Sequence, residues 1–356
     1  MKQKSVLIGM SGGVDSSVAA ALLKEQGYHV IGATMRLWTY SDSCNMKHEG
    51  CCAESAVEDA RRVCDKLGID FYVMNFKDMF KDKVVDYFVD EYIHGRTPNP
   101  CIACNKYLKF DALLKKALAM GIDYVATGHY ARIEKGEDGK YILRASEAVK
   151  KDQSYVLYNF TQEQLAHTLM PLGGYNKDWV RQKAEELGLG VAHKPDSQEI
   201  CFVEDDDYAK FITDYSGYKP KEGDILDVNG NVIGKHRGLI YYTIGQRKGI
   251  GAYGRPMFVM KIDAENNTIT LGEKGMEFSN ELTAYDVNFV SGEFPKENML
   301  ITAKVRYQAP PAAAMLCPQK DGTVKLMFPE PQRAVTPGQA VVFYDGDIVL
   351  GGGTVL

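Results

Sequence analysis

Residues 11–17 read Ser-Gly-Gly-Val-Asp-Ser-Ser. They follow a short apolar run, Lys4 to Met10, and open Val14 to Gln26, where Val14, Val18 and Leu22 recur at helical spacing before Gly27. A strand that passes to a helix through two glycines brings backbone N–H groups and the positive end of the helix dipole to one point. The serines add hydroxyl donors. Such a loop is built to cradle phosphate. It is not the Walker loop, because no Gly-Lys-Ser/Thr pair follows. The dinucleotide fingerprint G-x-G-x-x-G is also absent.

The same alternation continues. Tyr28 to Met35, Asp70 to Phe76 and Asp123 to Thr127 read as strands. Ala53 to Leu67, Lys77 to Ile93 and Asn105 to Met120 read as helices, and Gly68 and Gly121 stop two of them. This predicts an α/β unit, a parallel sheet with helices on both faces. After about Asp205 short β-type runs take over, with Asn229-Gly230 and Asn266-Asn267 as hairpin turns. Asp205 to Asp207 reads as the N-terminus of a helix from Tyr208 to Tyr215. From about Glu281, Leu282 to Val290, Leu300 to Tyr307, Ala312 to Leu316, Val324 to Phe328, Ala340 to Tyr344 and Ile348 to Leu350 fit a small β-barrel. At 356 residues the chain exceeds one ordinary domain. We divide it at 1–204, 205–278 and 279–356. No signal peptide and no apolar run of spanning length occurs, so a cytoplasmic protein without a membrane partner is expected.

Net charge is −5, from 42 Lys and Arg against 47 Asp and Glu. An acidic total argues weakly against nucleic acid, but a local basic face decides the matter. Between Val228 and Ile262 no acidic residue occurs. Lys235, Arg237, Arg247, Lys248, Arg255 and Lys261 are interleaved there with Tyr241, Tyr242, Tyr253 and Phe258. Cations neutralise phosphates and aromatics stack on splayed bases, so the window reads as an RNA surface; a solvated β surface over core tyrosines is the other reading.

Eight cysteines in a long chain without a secretory signal suggest reactive or metal-binding thiols rather than a disulfide framework. Cys101-Ile102-Ala103-Cys104 follows Thr97-Pro98-Asn99-Pro100 in a stiff loop ahead of a helix, and Cys104 is expected near that helix's N-terminus, where thiolate is favoured. A lone C-x-x-C is open to several readings: half a zinc site, a redox pair, iron–sulfur ligands or chance. No second C-x-x-C supports a zinc ribbon. Cys201 lies in Asp196-Ser197-Gln198-Glu199-Ile200-Cys201-Phe202 and by itself signals little. Cys44, Cys51, Cys52, Cys64 and Cys317 read as packing residues, although Cys51-Cys52 precedes a helix.

Ser-Gly-Gly-Val-Asp-Ser matches the pyrophosphate-loop signature of the ATP pyrophosphatases, which cleave ATP between the α and β phosphates and adenylate an acceptor. The resemblance implies that Gly9, Met10, Ser11, Gly12, Gly13, Val14, Asp15 and Ser16 hold ATP, with Asp15 near Mg2+. The motifs taken together resemble the bacterial tRNA-specific 2-thiouridylases, the MnmA family. They are Asn99-Pro100-Cys101 through Cys104-Asn105-Lys106, Gly128-His129-Tyr130, Lys151-Asp152-Gln153-Ser154-Tyr155, Ile200-Cys201-Phe202, Gly245-Gln246-Arg247-Lys248-Gly249 and Arg306-Tyr307. They occur in family order along essentially the whole chain.

That likeness implies further roles. Met35 and Gly128 would join the ATP site. Cys201 would carry a persulfide and Cys104 would be the partner nucleophile, with a Cys104–Cys201 disulfide closing the cycle. Asn99, Pro100 and Cys101 would approach the target base. His129, Lys151, Asp152, Gln153, Arg306, Tyr307 and Gln339 would contact tRNA. The implied reaction is ATP-dependent 2-thiouridine synthesis at wobble uridine 34 of the tRNAs for Lys, Glu and Gln. Its sulfur would come from a cysteine desulfurase or a sulfur carrier. Family members carry Asp or Cys at the position of Cys101, and with Cys here, Cys101, Cys104 and Cys201 could instead hold a [4Fe–4S] cluster. A small-molecule ligase with the same ATP loop is the competing reading, and a non-catalytic RNA-binding or iron–sulfur module is another.

Overall fold

The computed structural model describes residues 3–38, 54–195, 200–203 and 206–356. Cys44, Cys51, Cys52, Asp205 and the stretch Asp196 to Glu199 lie outside the described residues. Five strands form an all-parallel sheet in the order β3-β2-β1-β4-β7. They are β1 (Ser5–Gly9), β2 (His29–Arg36), β3 (Asp70–Asn75), β4 (Tyr124–Ala126) and β7 (Thr168–Leu169). Val6, Leu7 and Ile8 of β1 are fully buried, which fits a central strand covered on both faces. Helices Val14–Glu25 and Glu54–Leu67 are among those that supply the cover. The chain is also helical from 77 to 93 and from 100 to 119, with π-helical stretches at Lys81–Asp86 and Cys104–Ala112.

Between β4 and β7 the chain makes a hairpin, β5 (Ala131–Lys135) with β6 (Tyr141–Ala145), which the sequence reading did not anticipate. Middle strands β8 (Gly223–Leu226), β9 (Val232–His236), β10 (Met257–Asp263) and β11 (Thr268–Glu273) form a separate four-stranded sheet. The turns at Asn229-Gly230 and Asn266-Asn267 are as expected, with Gly230 at φ 86° and Asn267 at φ 50°. Strands β12 (Phe278–Phe289), β13 (Met299–Lys304), β14 (Ala312–Pro318), β15 (Val324–Arg333), β16 (Ala340–Asp345) and β17 (Ile348–Val355) close into a barrel through the β12–β17 pairing. β6 adds to β17, and Asp347 accepts hydrogen bonds from both Arg132 and Arg144. That joint fastens the barrel to the parallel-sheet unit. No helix among the described residues is long and apolar enough to cross a membrane.

Candidate functional site

The chain lays β2 and β3 on one side of β1, then crosses to place β4 on the other. Loops leaving β1 and β4 therefore diverge, and a crevice opens at their C-terminal ends. Ser11-Gly12-Gly13 leaves β1 and Thr127-Gly128-His129 leaves β4, so both loops face it.

Gly9 ends β1. The Met10 N–H donates to the Ala33 carbonyl at 2.8 Å, and the Met10 carbonyl accepts from Thr34 Oγ1 at 2.8 Å. Met35 follows on β2, half-buried beside the loop. Gly12 has φ 71°, and a Cβ there would stand 2.3 Å from the Ala56 carbonyl oxygen. Ser16 Oγ accepts from the Ser11 N–H and donates to the Gly13 carbonyl, both at 3.2 Å. Gly13 starts helix Val14–Glu25 with no side-chain cap, which leaves the first-turn N–H groups to an anion in the loop. Gly128 forms the opposite wall, so close that a Cβ would lie 2.7 Å from Ser16 N and 2.8 Å from Asp15 C.

Asp15 is held from two sides. The Tyr130 hydroxyl donates to Oδ1 at 2.7 Å, and Lys177 Nζ donates to both carboxylate oxygens at 2.8 Å. Lys194 Nζ donates to the Gly12 carbonyl at 3.1 Å and pairs with Asp59 at 2.9 Å. Both lysines bring positive charge to the phosphate cradle. Neither is visible in sequence: Lys177 opens an ordinary amphipathic helix and Lys194 lies in a turn region far from the loop.

The helix bearing Cys101 and Cys104 starts at Pro100, five residues before the expected Asn105. Asn99 caps it, its Oδ1 accepting from the N–H groups of Cys101 at 3.1 Å and Ile102 at 3.3 Å. The Asn-Pro pair that reads as a stiff loop is in fact an N-cap followed by proline at the first helical position. Cys101 therefore occupies the first turn and is exposed, while Cys104 lies one turn on, buried, at the start of the π-helical stretch. The helix-dipole argument made for Cys104 moves to Cys101.

Cys201 is exposed, and its neighbour Phe202 is buried with its ring 5.3 Å from Phe88, 5.6 Å from Phe80 and 5.2 Å from Phe211. Phe202 and Cys104, 98 positions apart, belong to one hydrophobic cluster, so folding anchors their two segments in the same core. Among the described residues no group of three His, Cys, Asp or Glu side chains is placed to hold a metal ion. The three thiols thus do not form the ligand set a cluster needs. Cys64 is buried against Gly32, and burial together with Asp65 pushes its thiol up to about 12, as befits a packing residue.

A chain of contacts links the phosphate loop to the cysteine helix. Tyr130, on Asp15 through its hydroxyl, exchanges hydrogen bonds with Gln153: its N–H donates to Gln153 Oε1 at 3.0 Å, and the Gln153 N–H donates to its carbonyl at 2.9 Å. Lys151 and Asp152 precede Gln153 on the same turn. The Asp152 carboxylate accepts from the N–H groups of Ser146 and Ser154 and from Ser154 Oγ, and its carbonyl accepts from the Tyr307 hydroxyl at 3.1 Å. Tyr307 stands close enough to Cys101 for a thiolate there to raise the phenol's pKa, behind burial and Asp152 as causes. Arg306 donates to the carbonyls of Arg333 at 2.8 Å and Ala334 at 2.9 Å. Gln339 Nε2 donates to the Thr97 carbonyl at 2.8 Å and the Thr97 N–H donates to Pro337 at 2.9 Å, so a barrel loop clamps the entry to Asn99. His129 Nδ1 is 2.7 Å from Thr127 Oγ1, and burial beside Phe110, with Lys109 as a further cause, holds its pKa well below the ordinary value.

The acid-free window is less basic in three dimensions. Lys235 pairs with Asp224 at 2.6 Å, Arg255 with Glu273 at 2.6 Å and Lys261 with Asp263 at 3.0 Å, all carboxylates from outside the window. Tyr242 and Phe258 are buried, so as stacking platforms they are corrected to core residues. Arg237, over the Tyr241 ring at 4.0 Å, and exposed Arg247 and Lys248 have no carboxylate partner among the described residues.

Residues 4–205 match the family model described as tRNA methyl transferase HUP domain. Residues 209–273 match the tRNA methyl transferase PRC-barrel domain and 279–355 the aminomethyltransferase beta-barrel domain. The chain is 59% identical over 358 residues to the tRNA-specific 2-thiouridylase MnmA of Acetivibrio thermocellus, covering 100% of both. It is 58% identical to the protein of that name from Clostridioides difficile, over 99% of this chain and 98% of that one. A third relative, tRNA-specific 2-thiouridylase MnmA 1 of Thermoanaerobacter sp., is 57% identical over 99% of this chain and 98% of its own length.

Proposed function

The chain belongs to the tRNA-specific 2-thiouridylases, enzymes that make 2-thiouridine in tRNA, and we propose that it thiolates wobble uridine 34 of the tRNAs for Lys, Glu and Gln. The observation that supports this reading is the path of hydrogen bonds from Asp15 to Tyr130 and Gln153, and along the chain from Gln153 to Asp152 and Tyr307, which feels the charge of Cys101. It couples an ATP cradle to a cysteine loop, and a small-molecule ligase has no use for that coupling.

Residues 1–204 bind ATP and carry the chemistry, 205–278 contact tRNA, and the 279–356 barrel clamps the Asn99 loop. Gly9 to Ser16, Met35 and Gly128 form the ATP site. Asp15, whose oxygens Lys177 holds in this structure, would have to exchange that ammonium to serve Mg2+, which otherwise takes phosphate oxygens and water. The uridine C2 oxygen is a poor leaving group until AMP is transferred to it, with loss of pyrophosphate. The target base, flipped from the anticodon stack, meets Asn99, Pro100 and Cys101. His129, Lys151, Asp152, Gln153, Arg306, Tyr307 and Gln339 hold the surrounding RNA.

The terminal sulfur of a Cys201 persulfide, or sulfide released from it by Cys104, attacks C2 and AMP leaves. In the direct route Cys104 thiolate then attacks Cys201 Sγ, which frees the C2 thiocarbonyl and forms a Cys104–Cys201 disulfide. An external thiol reduces it, and a cysteine desulfurase or carrier reloads Cys201. All of this takes place in the cytoplasm. Among the described residues no three-ligand group supports a [4Fe–4S] route. Anaerobic reconstitution that yields bound iron and a thiolate–iron absorbance would favour it.

The test is a thiolation assay with ATP, magnesium, a persulfide donor and unmodified tRNA, read on a mercury-containing gel. A retarded band is expected from the wild type, and none from Cys104→Ser or Cys201→Ser, both with ATP binding intact. Normal thiolation by either variant overturns the scheme. AMP formation with another acceptor and no band would favour the ligase reading.

A further inference from the structure

The last residue of β13, Lys304, is a half-buried cation. Its Nζ lies 5.8 Å from the Tyr155 ring centre and 5.7 Å from that of Tyr307. The rings meet edge to face at 5.7 Å. Tyr155 is fully buried and fixed by its hydroxyl on the Ala340 carbonyl at 2.7 Å, so this wall cannot move aside. Cation–π attraction at this range holds an ammonium without neutralising it.

The carboxylate whose charge acts on Lys304 is that of Asp152, whose oxygens already accept from Ser146 and Ser154. Among the described residues no carboxylate pairs with Lys304. Two residues on, Arg306 spends one guanidinium nitrogen on the carbonyls of Arg333 and Ala334. Lys304 and Arg306 flank buried Val305 and are both half-buried; burial lowers the basicity of each, and Arg333 lowers that of Arg306 further. Two partly desolvated cations on one short segment, neither ion-paired to a carboxylate among the described residues, favour an anion beside them.

We propose that Lys304 and Arg306 form a seat for one RNA phosphodiester, and that Lys304 is a positioning residue which sets the target nucleotide against the Cys101 loop. The inference rests on the tRNA reading above and adds a residue to it. Tyr307 is the link: its ring lies under Lys304, its hydroxyl donates to the Asp152 carbonyl, and it is near enough to Cys101 to feel a thiolate there. A phosphate fits better than a carboxylate ligand because the substrate of the reaction proposed above carries one phosphate per nucleotide.

The experiment uses the full chain and a fluorescent anticodon stem-loop RNA of tRNA Glu, with binding followed by anisotropy from about 50 to about 200 mM KCl. Lys304→Met keeps the aliphatic stem over the rings and removes the charge. It should weaken binding at least about tenfold, because one charge-assisted bond to the phosphate is lost. It should also flatten the slope of log K against log salt by about 0.7–0.9, one phosphate's worth. Lys304→Arg should restore both, and the KM for ATP should not move.

Weakening with an unchanged salt slope would mean a packing role and overturn the seat, as would unchanged affinity in a folded variant. If Lys304→Met melts early, Lys304→Gln gives the same readout. A wild type that binds the stem-loop while Lys304→Met binds it equally defeats only this inference. A wild type that fails to bind RNA at all defeats it together with the tRNA reading.

Discussion

Gly128→Ala is the most direct probe of the ATP crevice. The added Cβ would stand 2.7 Å from Ser16 N and 2.8 Å from Asp15 C. Both are main-chain atoms in the first turn of helix Val14–Glu25, so no side chain can swing away. Ordinary contact begins near 3.4 Å, so the β4 loop and the helix start must part by about 0.7 Å. Overpacking of this kind costs about 1–3 kcal/mol. At about 2–4 °C per kcal/mol for a domain of this size, Tm should fall by about 2–12 °C.

The displacement also acts on function. It pulls Tyr130, two residues on, away from Asp15, a contact of 2.7 Å at present. The KM for ATP should rise about tenfold or more, while tRNA affinity stays within about twofold. Differential scanning fluorimetry and ATP-dependent AMP release read the two effects. Gly174→Ala is the control, because its nearest foreign atom is 4.0 Å away. A Gly128→Ala protein with wild-type Tm and wild-type KM would refute the close approach of the two loops.

Lys177→Met removes the ammonium that both Asp15 oxygens share at 2.8 Å, leaving an uncompensated carboxylate beside incoming phosphates. The KM for ATP should rise at least about tenfold with little change for tRNA, as read by initial rates. His129 has a folded pKa below its unfolded value of 6.5, so its contribution to stability is present above that pH and is lost as pH falls towards the folded pKa. Tm of the wild type should therefore drop between pH 7 and pH 5 more steeply than that of His129→Gln, measured at about 5 and about 7. Arg247→Gln and Lys248→Gln should each weaken tRNA binding and reduce the salt slope by up to about 0.9, whereas Lys235→Gln, whose ammonium is 2.6 Å from Asp224, should do less.

The strand–loop–helix at Ser11 to Ser17, the parallel sheet and the closing barrel were legible because each rests on local signals: glycine spacing, periodicity and turn residues. Asn99-Pro100 carried a helix-start signal too, yet it also fits an extended loop. Only the capping bonds to Cys101 and Ile102 decide between them and move the first turn onto Cys101. Lys177 and Lys194 could not be found from sequence, since their partners Asp15, Gly12 and Asp59 lie 135 or more positions away. For the same reason the sequence could not show that three of the window's six cations are paired, because Asp224, Glu273 and Asp263 reach it from outside. Local backbone preference therefore determined which chemistry the loops could hold. Which side chains neutralise, clamp or expose that chemistry was decided by tertiary packing, because electrostatic and hydrogen-bond partners are chosen by distance in space, and sequence separation does not limit it.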